Sequence, residues 1–167
     1  MTLTRTPYPS TDTVVVTDAG LETWLLFDKG INLPAFAAYP LAATDEGKKV
    51  LTEYYSHYLR IAEGIGAAVE LEAPTWRANP DWAETLGHDR AALAGFIADA
   101  VAVVAHLRGD WKGTGAFLVG GAVGPRGDGY TIDVAMSPDE AAEYHSFQLE
   151  QLAAAPVDVA TAMTICY

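Results

Sequence analysis

The chain has 167 residues, half of them apolar, enough for one domain with a buried core. Ten Lys and Arg against twenty-two Asp and Glu give a formal charge of −12, which excludes the basic stripe of a nucleic-acid partner and disfavours an anionic membrane surface. A single cysteine, Cys166, excludes an internal disulfide and fits a reducing cytoplasm.

Residues 1–12, with Pro7 and Pro9, read as an irregular N-terminal arm, and they lack the apolar segment of a signal peptide. Val14 to Thr17 is a first strand, closed by the turn Asp18-Ala19-Gly20 and followed by a helical turn over Leu21 to Asp28. Thr44 or Asp45 caps a long helix to about Glu63 with Leu51, Tyr55, Tyr58 and Leu59 on one face, ended by Gly64 and Gly66. A second strand, Val69 to Leu71, leads into a loop from Ala73 to Asp81. Asp89 opens a helix that closes near Gly109, and its apolar stretch Ala91 to Leu107, interrupted by Asp99 and His106, packs on a sheet and does not cross a membrane.

Ala116 to Gly120 is a third strand, running into the glycine-rich Gly121 to Gly129. Ser137-Pro138-Asp139-Glu140 is a strong helix start: serine cap, proline at the first helical position, and glutamate three residues after the serine. That helix stops before Pro156, and Asp158 to Ile165 is a fourth strand.

Repeated strand–loop–helix order argues for a parallel α/β sheet of the TIM-barrel type. A closed eight-stranded barrel takes roughly 250 residues, so the expectation is a partial barrel made of its first four strands. Reactive groups of such a barrel sit at the C-terminal ends of strands and in the loops after them. The rule selects Asp18 to Thr23, Glu72 to Trp82, Gly121 to Tyr130 and Thr164 to Tyr167.

Asp18, at a strand end beside Gly20, can grip a substrate amine, orient a loop amide or cap the following helix. Glu70 and Glu72 point to one side of their strand; if that side is the lumen, two carboxylates share a confined space and one holds a cation or a proton. Trp24, Trp76, Trp82 and Tyr130 suit a positively charged methyl donor through cation–π attraction, or simply form a lid. The loop from Gly120 to Gly129 has no lysine and does not match a phosphate cradle, which leaves a tight turn with close backbone approach. His57, His88, His106 and His145 are scattered and, with Cys166, make no recognisable metal site.

Several of these segments resemble motifs of the homocysteine S-methyltransferase family. They are Asp18-Ala19-Gly20-Leu21-Glu22-Thr23, then Pro74 to Asn79, then Gly124-Pro125 with Gly127-Asp128 and Tyr130, and last Tyr144 to Gln148 with Ala162 to Ile165. The resemblance runs in order from about Val14 to Tyr167. It implies the N-terminal half of a (β/α)8 homocysteine-binding barrel, in which a methyl group passes from a sulfonium, ammonium or folate donor to the thiol of homocysteine. A zinc ion held by cysteines activates that thiol.

By the same resemblance Asp18, Ala19 and Gly20 hold the amino-acid end of the substrate, and Glu72, Thr75 and Trp76 line the same mouth. The chain departs from the pattern at Ala19, where glycine is usual, and at Met163, where many members carry a glutamate that helps hold the substrate amine. It also lacks the cysteine motifs that supply the zinc ligands, which puts those ligands outside this chain. The expectation is therefore an enzyme half that is inactive alone, meeting a second half-barrel chain or another copy of itself. Two alternatives remain: a non-catalytic half-barrel interaction module, and a lyase- or aldolase-type barrel that uses Glu70 and Glu72.

Overall fold

In a computed structural model that describes residues 4–131 and 135–167, four parallel strands form one sheet in the order β1-β2-β3-β4. They are β1 (Val15–Thr17), β2 (Ala68–Ala73), β3 (Phe117–Val123) and β4 (Val159–Ala162). The strands curl into half of a barrel. Sequential strands are neighbours throughout, and each connection carries helix back across the outer face, as parallel pairing requires.

The longer helices are α2 (Asp45–Ile65), α4 (Arg90–Asp110) and α5 (Pro138–Ala154). Thr44 caps α2 by accepting the Gly47 N–H at 3.0 Å, and Gly66 ends it in a left-handed turn. Asp89 caps α4. Ser137 and Glu140 bond reciprocally at the start of α5, the local chemistry that the sequence pattern predicts there.

Alternation along the strands sorts the two faces of the sheet. Val69, Leu71, Phe117, Val119 and Val123 belong to the outer core with Leu51, Tyr55, Leu93, Ile97, Val101, Val104 and Leu152 from the helices. Each fully buried Leu, Ile or Val contributes about 1.5–3 kcal/mol. This packing is why α4, long and apolar enough by composition to span a bilayer, is a core helix: its larger side chains face the sheet and alanines cover its outer side. Register places Glu70, Glu72, Leu118, Gly120 and Ala122 on the inner face. Glu70 and Glu72 therefore do share the lumen side.

Three elements differ from the sequence reading. Pro80–Thr85 is a short helix, α3, that starts at the end of the stretch read as loop and runs on past Asp81; Pro80 starts it and Asn79 caps it. Strand β3 runs on to Val123, past the expected stop at Gly120. Strand β4 ends at Ala162, short of Ile165, because Thr164 turns the chain with a φ of 56°. The predicted turn over Leu21 to Asp28 is helical, beginning as α1 (Leu21–Thr23) and loosening into a π turn over Trp24–Asp28.

The arm crosses beneath the sheet. The Arg5 guanidinium donates to the carbonyls of Val157 and Ala153, the Thr6 N–H donates to Asp158 at 2.6 Å, and the Tyr8 hydroxyl donates to Glu70 at 3.0 Å. Residues 1–3 of the arm lie outside the described residues. Asp158 also accepts the Val119 N–H at 2.9 Å and pairs with Arg108, so a single buried carboxylate ties arm, β3, β4 and α4 together.

Candidate functional site

A cavity of about 220 Å³ opens at the C-terminal ends of the strands, lined by Asp18, Glu22, Glu72, Trp76, Met163 and Thr164 among others. Ala19 and Gly20 complete one wall. Gly20 has a φ of 73°, which lets β1 turn sharply into α1 and directs Glu22 back toward the opening.

Asp18 carries two bonds from the protein. Its Oδ1 accepts the Glu72 N–H at 2.8 Å and its Oδ2 accepts the Tyr54 hydroxyl at 3.1 Å. The first bond takes the place that a β1 carbonyl would hold one step further along the ladder. Two neighbouring tyrosines of α2 act on the same segment: Tyr58 donates to the Ala19 carbonyl at 2.8 Å and Tyr55 to the Glu72 carbonyl at 2.6 Å. Helical spacing sets the three phenols beneath the β1 and β2 ends.

Burial pushes the Asp18 carboxyl up to about 7, helped by the Glu72 charge and opposed by the bonds from the Glu72 amide and Tyr54. Burial also raises Glu72, with Glu70 adding to the effect and the Thr161 hydroxyl opposing it. Glu22 is raised by burial as well, and Arg77 partly offsets this. Three carboxyls crowded with so little compensation favour a cationic guest.

The Asp18 shift has a consequence for stability. The folded protein holds this proton to about 7, whereas the unfolded chain releases it near 3.8. The folded state thus binds more protons between these values, and stability falls as pH rises through that window. Asp18→Asn is expected to flatten this part of the profile. Urea midpoints at pH 5 and pH 8 that fall equally in wild type and variant would contradict the assignment.

Glu72 lies over Gly120, where an added Cβ would sit 3.1 Å from Glu72 Cγ. Glu70 does not reach the cavity; it lies deeper and is held by Tyr8. Trp76 forms the facing wall and donates Nε1–H to the Thr164 hydroxyl at 3.1 Å. Behind it the Arg77 guanidinium is stacked between Trp76 and Trp82, 4.0 and 4.1 Å from the ring centres, and donates to the Gly127 carbonyl at 2.8 Å.

The backbone passes closest at Gly124. An added Cβ there would fall 2.1 Å from the Trp76 carbonyl oxygen, the close approach expected of the glycine-rich loop. Asn79 bridges the two loops, donating to the Pro125 carbonyl at 3.1 Å and accepting the Tyr144 hydroxyl at 2.7 Å.

Of the residues singled out from sequence, Asp18, Ala19, Gly20, Glu72 and Trp76 come together around the cavity. Thr75 does not: it is fully buried, its hydroxyl donates to the Ala122 carbonyl at 2.8 Å, and its own carbonyl accepts from Gln148 at 2.6 Å. Trp24 packs on Tyr54, and Tyr130 is 88% exposed; neither lines the cavity. Glu22 was legible only as part of the first loop. The tyrosines at 54, 55 and 58 gave the one signal for the groups beneath it, a polar-tipped aromatic cluster on a helix face.

Among the described residues no three His, Cys, Asp or Glu side chains converge as a metal site. Cys166 is exposed and His145 bonds to the Tyr167 hydroxyl at 2.8 Å. The residues present therefore do not fit a zinc ion.

Two solved structures share this fold: the homocysteine methyltransferase MmuM from Escherichia coli in its metallated form, with 22% identity and a TM-score of 0.71, and in its oxidized form, with 21% and 0.74. Each alignment covers 93% of this chain, and 55% and 54% of the respective neighbour, so the chain spans about half the length of the solved structures it matches. No curated protein matches the chain. The sequence profile of the homocysteine S-methyltransferases matches residues 15–167, and the chain belongs to that family.

Proposed function

We propose that the cavity is one half of a methyl-transfer site, holding homocysteine or a close thiol amino acid by its ammonium group while the thiol meets a methyl donor. The observation that carries this reading is the position of Glu72 and Glu22 at a strand-end cavity walled by Trp76, within a chain of this family. In the reaction the homocysteine sulfur, as the thiolate once its proton has passed to solvent, forms a bond to the methyl carbon. The bond from carbon to the donor heteroatom breaks, and its electron pair returns to the donor, discharging a sulfonium or ammonium. Glu72, Glu22 and the Trp76 face suit the positive charge of the substrate amine or of such a donor better than an anionic folate.

These groups bind and orient, and none of them activates a sulfur. Thiol activation by zinc, as the resemblance implies, falls to ligands outside these residues. The open edges of β1 and β4, with Val14 at 65% exposure, fit a second half-barrel as the complement. A single exposed thiol and the acidic surface suit a reducing cytoplasm.

Calorimetry with L-homocysteine tests the reading. Glu72→Gln is expected to weaken binding by about tenfold or more, the loss of a charge-assisted bond. Incubated with homocysteine and a sulfonium donor, the chain by itself is expected to yield no methionine. Equal affinity in wild type and Glu72→Gln would sink the assignment. A proton-transfer reading built on Glu70 and Glu72 together is weakened by geometry, because Tyr8 holds Glu70 away from the cavity. The non-catalytic module keeps one observation in its favour, the same open edges.

A further inference from the structure

We propose that Arg77 is a positioning residue for this cavity: its guanidinium, held between Trp76 and Trp82, fixes the plane of the ring that faces Glu72 and sets a positive charge behind Glu22. This rests on the reading of the cavity as a thiol amino-acid site and adds to it a group that does not touch the ligand.

The geometry supplies the argument. Trp76 lines the cavity and the Arg77 guanidinium lies over its ring, 4.0 Å from the centre. Arg77 is not itself a lining residue, so it covers the ring face turned away from the opening. The bond from Trp76 Nε1–H to the Thr164 hydroxyl fixes one edge of the ring and leaves its tilt about that bond open. The stack fixes the tilt, with Trp82 of α3 on the far side, 4.1 Å from the guanidinium.

Hydrogen bonding does little for the guanidinium itself. It donates to the Gly127 carbonyl at 2.8 Å, while its buried Nε–H has no acceptor among the described residues. Among the same residues no carboxylate pairs with it directly. Asp128 turns instead to the Tyr130 and Thr131 amides of its own loop, at 2.7 and 3.1 Å. A side chain only 7% exposed is thus kept in place by its flat contacts, and these need arginine. A lysine ammonium has the charge but no plane to stack. One planar group therefore joins the loop after β2, the short helix α3 and the glycine-rich loop after β3.

The charge reaches the cavity through Glu22. The groups around Arg77 are Glu22 on α1, Asp128 and Tyr130 after β3, and Tyr144 on α5. Those around Glu22 are Arg77 and Glu72. Burial raises the Glu22 carboxyl and Glu72 adds to this, whereas Arg77 lowers it and so favours the charged form that a cationic guest requires.

The test compares Arg77→Lys, which keeps the charge and loses the plane, with Arg77→Met, which loses both. Two measurements need no ligand. The Trp76 indole N–H resonance, assigned with Trp76→Phe, is expected to move toward the position of a free indole in both variants, while the rest of the spectrum stays that of a folded chain. The Glu22 carboxyl, followed by its carbon-13 resonance against pH, is expected to titrate higher in Arg77→Met and in place in Arg77→Lys. The third measurement is L-homocysteine affinity by calorimetry. Expected losses are about threefold in Arg77→Lys and about tenfold or more in Arg77→Met, the scale of a desolvated cation–π contact and of the charge with it.

An indole resonance that keeps its wild-type position in folded Arg77→Lys would overturn the proposal, because a residue that only fills space leaves the ring alone. A Glu22 midpoint in Arg77→Met equal to wild type would overturn it too, as would wild-type affinity in that variant. If Arg77→Met does not fold, the indole resonance of Arg77→Lys decides. Should wild type itself fail to bind homocysteine, the thiol amino-acid reading falls, and the two resonances alone settle the role of Arg77.

Discussion

Asp158→Ala is expected to lose about 3–5 kcal/mol of stability, the range for breaking a buried ion pair by removing one partner. Its side chain is 1% exposed and accepts from the Thr6 and Val119 amides while pairing with Arg108. Alanine would leave the Val119 N–H without its carboxylate acceptor and the Arg108 guanidinium without its counter-ion. It would also release the arm, because Thr6 would have nothing to donate to. Against a typical total of about 5–15 kcal/mol, this is about a fifth or more of what holds a domain folded. Urea unfolding provides the measure, and a change below about 1 kcal/mol would show that the carboxylate is not the tie described.

Gly124→Ala is the second large effect, and it acts at the cavity. A Cβ at this position would lie 2.1 Å from the Trp76 carbonyl oxygen and 2.7 Å from Trp76 Cδ1, so the clash is with backbone as well as ring. Overpacking of this kind costs about 1–3 kcal/mol or more. It should also swing Trp76 off the Thr164 hydroxyl, removing the wall that faces Glu72. The expected result is a lower melting temperature, altered tryptophan near-ultraviolet dichroism and loss of homocysteine binding. Gly95→Ala is the control: nothing lies within 4 Å of its added Cβ on α4, and a helix interior gains about 0.5–1 kcal/mol from that exchange. Similar behaviour of the two variants would contradict the packing argument.

Local chemistry made much of this architecture readable in advance. Val14 to Val16, Val69 to Leu71 and Phe117 to Val119 are apolar runs in a repeating order, and that order leaves few topologies for a chain to choose. Ser137 and Glu140 announce a helix start by themselves because both halves of the cap lie within four residues. The site was legible at the level of loops, since barrel strands present their chemistry at one end.

What stayed hidden depends on partners far apart in sequence. Asp18 and Tyr54 are separated by 36 residues, and Arg108 and Asp158 by 50, so no local pattern pairs them. Thr75 sits between two residues that line the cavity, yet the turn after β2 sends its hydroxyl inward to Ala122. The early end of β4 has the same origin: Thr164 is β-branched and disfavours a positive φ, but the bond from Trp76 and the packing of the loop tip impose it. The helix at Pro80–Thr85 escaped the sequence reading because it is only six residues long, although Pro80 stands at its first position, where proline is favoured.

The strap under the sheet bears on how the molecule is made. Arg5 and Thr6 are synthesised before their acceptors Val157 and Asp158, which follow 152 residues later. At roughly 5–20 residues per second of synthesis, the arm waits on the order of ten seconds before its acceptors exist. The strap therefore closes late, and a bulky group placed against Arg5 would interfere with the last step of folding, not the first.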